Sequence, residues 1–263
     1  MPKITFMGAG STVFAKNVLG DAMLTKSLEG SAIALYDIDP VRLGESQKML
    51  ENLNQNFGGK ATIQAFCGVE NRKAALRGAN YVVNAIQVGL YEPCTVTDFE
   101  IPKKYGLRQT IADTLGIGGI FRALRTIPVL LDFARDMEEV CPNALLLNYT
   151  NPMAMLMRAV LGHTGIQAVG LCHSVQVCAE RLLQGLQMDY DEGVQWKIAG
   201  INHQAWLLEI TRDGQDLYPE IKRLAEMRTE KHDDMVRYEI MKRFGYYVTE
   251  SSEHNAEYMP YFI

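Results

Sequence analysis

The stretch KITFMGAGSTVF, residues 3–14, decides how the chain begins to fold. Lys3–Met7 is a short, largely apolar run closed by Gly8-Ala9-Gly10-Ser11. Beyond it, Val13, Phe14, Val18, Leu19 and Met23 follow a helical period. A strand that turns on glycines into a helix lets the backbone approach a pyrophosphate, whose charge the helix N-terminus favours. Val13 stands where the dinucleotide fingerprint carries its third glycine, so the motif is incomplete. Next comes a second strand, Ala32–Tyr36, ending at Asp37. An acid there accepts hydrogen bonds from the adenosine ribose and disfavours a 2′-phosphate, which predicts NAD rather than NADP. A plain tight turn and a helix-capping Asp are the bland alternative. The order of strand, turn, helix and acid favours the cofactor. Gly8, Gly10, Ser11 and Asp37 are therefore cofactor-binding candidates, with Gln87 at the end of a later strand.

The same alternation continues. Pro40–Asn54 reads as a helix with proline near its first position. Strands follow at Thr62–Phe66, Tyr81–Ile86, Leu145–Asn148 and Ala168–Leu171, with a helix at Phe121–Met137. Strands alternating with helices imply parallel pairing through crossovers, hence an α/β, Rossmann-like doubly wound sheet. Ligands of such sheets collect at the carboxyl ends of the strands, where Asp37, Gln87, Asn151 and Cys172 fall. From Trp196 the character changes. Trp196–Ile201 and Ala205–Thr211 read as strands, the second closed by the turn signal Asp213-Gly214. Tyr218–Phe244 reads as charged helix. We expect a dinucleotide domain over 1–195 and, over 196–263, the start of an α+β substrate or oligomerisation domain. The apolar ending, Tyr258 to Ile263, suggests a truncated chain.

Composition narrows the function. The 263 residues carry 26 Lys and Arg against 31 Asp and Glu, a net charge of −5 with no long basic run. That argues against nucleic acid and anionic membranes as partners. The start has no signal-peptide layout, so a cytoplasmic location is expected. Five cysteines in odd number read as reduced thiols.

Several segments can carry chemistry. Thr114-Leu115-Gly116-Ile117-Gly118-Gly119 is a second glycine-rich loop, either a helix entry or an amide cradle. Asp113 before it is a catalytic carboxylate or a turn former. Asn151, before Pro152, reads as a helix cap with proline at the first helical position, and its amide can also meet sugar hydroxyls. Cys172-His173-Ser174 ends a strand, and Asn202-His203 lies about thirty residues on. A thiolate and an imidazole can share a borderline divalent metal, though a buried Cys and a satisfied His are the commoner case. Glu250, Glu253, His254, Glu257 and Tyr258 form a titratable cluster, read as a solvated helix start or as a source of a proton acceptor.

Taken together, GAGSTVF, ALYDIDP, QTIADTLGIGG, NYTNPMA, GLCHS, GINHQAW and TESSEHNAEY resemble glycoside hydrolase family 4, nearest its α-galactosidase branch. That family stands apart from the two-carboxylate glycosidases by using NAD. The resemblance implies a divalent metal, typically Mn²⁺, held by Cys172 and His203, with Asn151 touching substrate. It implies Asp113 as support for a base, His173 at the proton-donor position, and His254 or Tyr258 as the base. The phospho-glycosidase branches carry an arginine where this chain reads Leu90-Tyr91-Glu92-Pro93-Cys94-Thr95, so an unphosphorylated α-galactoside is expected. An α-glucosidase or α-galacturonidase of the same family stays open, as does a lactate- or malate-type dehydrogenase. A non-catalytic nucleotide-sensing module is the reading from another class. The resemblance also implies a homo-oligomer, dimer or tetramer.

Overall fold

The computed structural model describes residues 1–111, 114–259, 261 and 262. Contacts divide the chain into two compact units, 1–98 with 118–171, and 99–117 with 172–263.

The first unit holds a six-stranded parallel sheet. Its strands are β1 (Lys3–Met7), β2 (Ala32–Asp37), β3 (Thr62–Cys67), β4 (Tyr81–Asn84), β5 (Leu145–Asn148) and β6 (Gln167–Gly170). They lie in the order β3-β2-β1-β4-β5-β6. This is the doubly wound order, with its switch point between β1 and β4. Alternate side chains explain why helices are needed on both faces. Phe6, Leu35 and Val83 enter one buried cluster, while their neighbours Met7, Tyr36 and Val82 enter another. Each such side chain removed from water contributes about 2 kcal/mol. The helices are α1 (Thr12–Leu24), α2 (Pro40–Asn56), α3 (Arg72–Leu76), α4 (Val96–Lys103), α5 (Gly116–Val140) and α6 (Met153–His163). The chain units part within α4 and near the start of α5.

The second unit joins α7 (His173–Gly185) to an antiparallel sheet. The sheet pairs β7 (Val194–Ile201), β8 (Gln204–Arg212), β9 (Gln215–Asp216) and β10 (Tyr247–Val248). The helices α8 (Tyr218–Met227), α9 (Met235–Phe244) and α10 (Ser252–Tyr258) complete it. Leu182 and Leu183 of α7 share a core with Leu207, Ile210, Ile221, Met241 and Tyr247. That burial groups α7 with the antiparallel sheet, so the contacts part at Leu171/Cys172.

Three elements differ from expectation. The helix over 218–244 is two helices. Arg228 leaves the helical region at φ −85°, ψ 85° and donates to the Gly185 carbonyl at 2.8 Å, and the chain restarts at Asp234. The helix expected at Phe121 begins five residues earlier, at Gly116. Pro152 is the N-cap of α6 rather than its first helical residue, because its ψ of 106° is extended. Among the described residues, no helix is long and apolar enough to cross a membrane.

Candidate active site

The glycine turn is built at the carboxyl end of β1. Gly8 has φ +89°, and a Cβ there would lie 2.8 Å from the Ala85 carbonyl carbon and oxygen. At Gly10 a Cβ would lie 2.8 Å from Asp37 Oδ2. Only glycines let these three strand ends crowd together. The Gly10 amide donates to Asp37 Oδ2 at 2.6 Å, tying the acid at the end of β2 to the turn. Asp37 does not cap α2. That task falls to Asp39, whose Oδ1 accepts from the Val41 and Arg42 amides. Ser11 stands at the N-cap of α1 and makes no capping bond through its side chain. The arrangement suits a dinucleotide: a glycine turn, a helix N-terminus behind it and a carboxylate at the end of the adjacent strand.

Gln87 lies beyond β4, its amide nitrogen 3.4 Å from Thr95 Oγ1. The ends of β4 and β5 are joined by a buried polar set. Asn84 donates to Asn148 Oδ1 at 2.7 Å and to Thr150 Oγ1 at 3.3 Å, and Thr150 donates to the Ile86 carbonyl at 3.0 Å. Asn151 follows directly, and its Oδ1 accepts from the Met153 amide at 3.4 Å, as a capping side chain does.

The second constellation lies wholly in the second unit. Cys172, His203 and Glu250 bring one ligand atom each within 4.8 Å of one another. Cys172 is the residue before α7. His203 sits in the turn between β7 and β8 with φ +62°, a region costly for a side chain other than glycine. Glu250, 8% exposed, lies between β10 and α10. His203 Nδ1 lies 2.6 Å from Thr114 Oγ1, which leaves Nε2 toward Glu250 Oε2 at 3.4 Å. A second partner on one ring nitrogen is how a metal-ligating imidazole is oriented. Burial would raise the Cys172 thiol, but hydrogen bonds from His203 and Ser174 outweigh it, and the thiol lies below its ordinary value. The donor set fits a divalent transition metal: bonds of about 2.0–2.3 Å span about 4–4.6 Å across one ion.

His173, His254 and Tyr258 lie in the same unit. His173 opens α7. The His254 ring lies 4.9 Å from that of His203 and 6.1 Å from that of Tyr258. His254 Nδ1 is 2.8 Å from Ser251 Oγ, which caps α10. At the start of α10, Glu253 is exposed while Ser251, Ser252 and His254 are half-buried. Asp113 lies outside the described residues. Its neighbour in the loop, Ile111, donates its amide to Glu257 at 2.9 Å. Glu250 is the residue whose place sequence reasoning missed. Its acidic neighbourhood was visible, but its partner Ser174 is 76 positions away.

One unit thus carries a doubly wound sheet with a glycine turn, and the other a Cys172–His203–Glu250 group of the metal-ligating kind. Residues 3–188 match the family 4 glycosyl hydrolases, and residues 198–262 match the C-terminal domain of that family. The chain belongs to glycosyl hydrolase family 4. It is 66% identical to an α-galactosidase of Bacillus subtilis, covering 100% of this chain and 60% of that protein. It is 34% identical to an α-galactosidase of Rhizobium meliloti, covering 99% and 53%. The crystal structure of a 6-phospho-β-glucosidase from Thermotoga maritima, with manganese, NAD⁺ and glucose-6-phosphate, superposes with a TM-score of 0.81. There the identity is 20%, over 99% of this chain and 60% of that one, so the likeness is one of fold. The chain thus spans 53–60% of the length of these α-galactosidases. Membership of the family sets aside the lactate- and malate-type dehydrogenase.

Proposed function

We propose that this protein is an NAD- and manganese-dependent α-galactosidase acting on unphosphorylated α-galactosides. The observation that carries the reading is the convergence of Cys172, His203 and Glu250 in a chain that also keeps the glycine turn and Asp37. The α-galactoside is supported by the two relatives of that name. An unphosphorylated sugar is supported by Leu90–Thr95, which contains no basic residue. Arg125 lies against Gly89 beside this segment, and both its terminal nitrogens are committed to Asp98, at 2.9 and 2.5 Å.

NAD supplies a hydride acceptor that later returns the hydride, and the divalent ion supplies a Lewis acid for the sugar oxygens. Gly8, Gly10 and Ser11 would hold the pyrophosphate, Asp37 the ribose, and Gln87 would also contact the cofactor. Cys172 and His203 hold the metal, and Asn151 binds a sugar hydroxyl. The sugar is oxidised at C3, which acidifies the proton on C2. His254 or Tyr258, supported by Asp113, removes that proton, and His173 protonates the departing oxygen on C1. Water then adds at C1, a proton returns to C2, and C3 is reduced, so the net reaction is hydrolysis. The family resemblance further supports a homo-oligomer.

Hydrolysis of an aryl α-galactoside is the direct assay. Turnover should require both NAD⁺ and Mn²⁺, and product formed in deuterated water should carry deuterium at C2. Full turnover after chelation and removal of the dinucleotide would defeat the reading.

A further inference from the structure

The geometry points to Glu250 as a third protein ligand of the divalent cation, one that lets the site hold the ion before any sugar arrives. The inference rests on the reading of Cys172 and His203 as metal ligands. Three observations carry it. First, Glu250 Oε2 lies 3.4 Å from His203 Nε2, the nitrogen left available by the bond of Nδ1 to Thr114. That separation is long for a hydrogen bond, yet it matches two neighbouring ligands on one ion with bonds of about 2.1 Å.

Second, the carboxylate is already held in orientation. Ser174 Oγ donates to Oε2 at 2.6 Å, and the Ser251 amide donates to Oε1 at 3.1 Å. Such outer partners aim a ligating carboxylate before the ion binds. Third, among the described residues the ion pairs of the buried Glu250 are with two imidazoles, His203 at 3.4 Å and His254 at 3.6 Å. A buried carboxylate needs a paired charge or a metal. A divalent cation between a thiolate and this carboxylate neutralises both.

A third protein ligand strengthens the hold on the ion in the free enzyme, where no sugar oxygen completes its shell. The test is a titration of the protein with Mn²⁺, followed by electron paramagnetic resonance, with neither sugar nor NAD⁺ present. Glu250→Gln should bind roughly 100-fold more weakly, since loss of even an orienting partner costs about 10–100-fold. Its Co²⁺ derivative should keep the thiolate charge-transfer band while the d–d bands change with coordination. Cys172→Ser should lose that band. Unchanged Mn²⁺ affinity in Glu250→Gln, alongside lost binding in Cys172→Ser, would overturn the role of Glu250 and leave the metal site standing. No Mn²⁺ binding by the parent would overturn the site itself. Should Glu250→Gln fail to fold, Ser174→Ala is expected to weaken binding about tenfold, and unchanged affinity there counts equally against the inference.

Discussion

The glycine turn and the metal cluster are built in opposite ways. The turn is built from backbone, and the residues that shape it are those without side chains. Gly8 and Gly10 lie two apart, and Asp37 reaches the turn from the adjacent strand. At the cluster, the candidate ligands are side chains delivered from three distant segments, the start of α7, the β7–β8 turn and the entry to α10. The turn is stiff because its atoms crowd. The cluster is held by hydrogen bonds to Thr114, Ser174 and Ser251. Backbone-built sites are therefore sensitive to added volume, and side-chain-built sites to lost polarity.

Breaking the cluster should have the largest effect. Cys172→Ser should abolish metal-dependent turnover while leaving NAD⁺ affinity, read by fluorescence titration, within a few-fold of the parent. Equal loss of both would make Cys172 a packing residue. Thr114→Val removes the partner of His203 Nδ1, and should weaken Mn²⁺ binding by about 10–100-fold with NAD⁺ binding unaltered. An isothermal titration of each ligand would separate the two.

The turn should fail in the reverse sense. Gly8→Ala places a methyl within 2.8 Å of the Ala85 backbone at φ +89°. It should lower stability by about 1–3 kcal/mol and weaken NAD⁺ binding, with the Mn²⁺ titration unchanged. A variant that melts with the parent would show that β1 and β4 can part at no cost. The smallest effect compares two thiols on or beside one helix. Cys172 is lowered, whereas burial pushes Cys178 up from 9.0 to about 11. A raised thiol contributes stability present below the ordinary value and lost as pH rises toward the folded value. Melting temperature should therefore fall between about pH 9 and 11. Cys178→Ala should flatten that slope, despite a lower starting stability.

The same contrast explains what could be read from the residues alone. The strands β1, β2 and β5 were legible because apolar runs and turn residues are local signals, and local signals survive without knowledge of partners. The break at Arg228 was not, because the charged stretch keeps a helical composition while the carbonyl that captures Arg228 belongs to Gly185, 43 positions earlier. Pro152 gave a correct helix start with the wrong cap position, since proline suits both. The resemblance named Cys172 and His203, but the residues around Glu250 read equally well as a helix start in water. Its burial comes from packing that no local pattern encodes.

By itself, then, the sequence determined a doubly wound parallel sheet, a glycine turn with its acid, and membership of a glycosidase family. These follow from periodicity, glycine placement and ordered motifs, all of them properties of neighbouring residues. Tertiary structure alone decided that α7 packs with the antiparallel sheet, that His203 takes a left-handed backbone in a tight turn, and that Glu250 faces Cys172 and His203. The physical reason is distance along the chain. A carboxylate becomes a candidate ligand only when burial strips its water and folding brings a thiol and an imidazole to meet it.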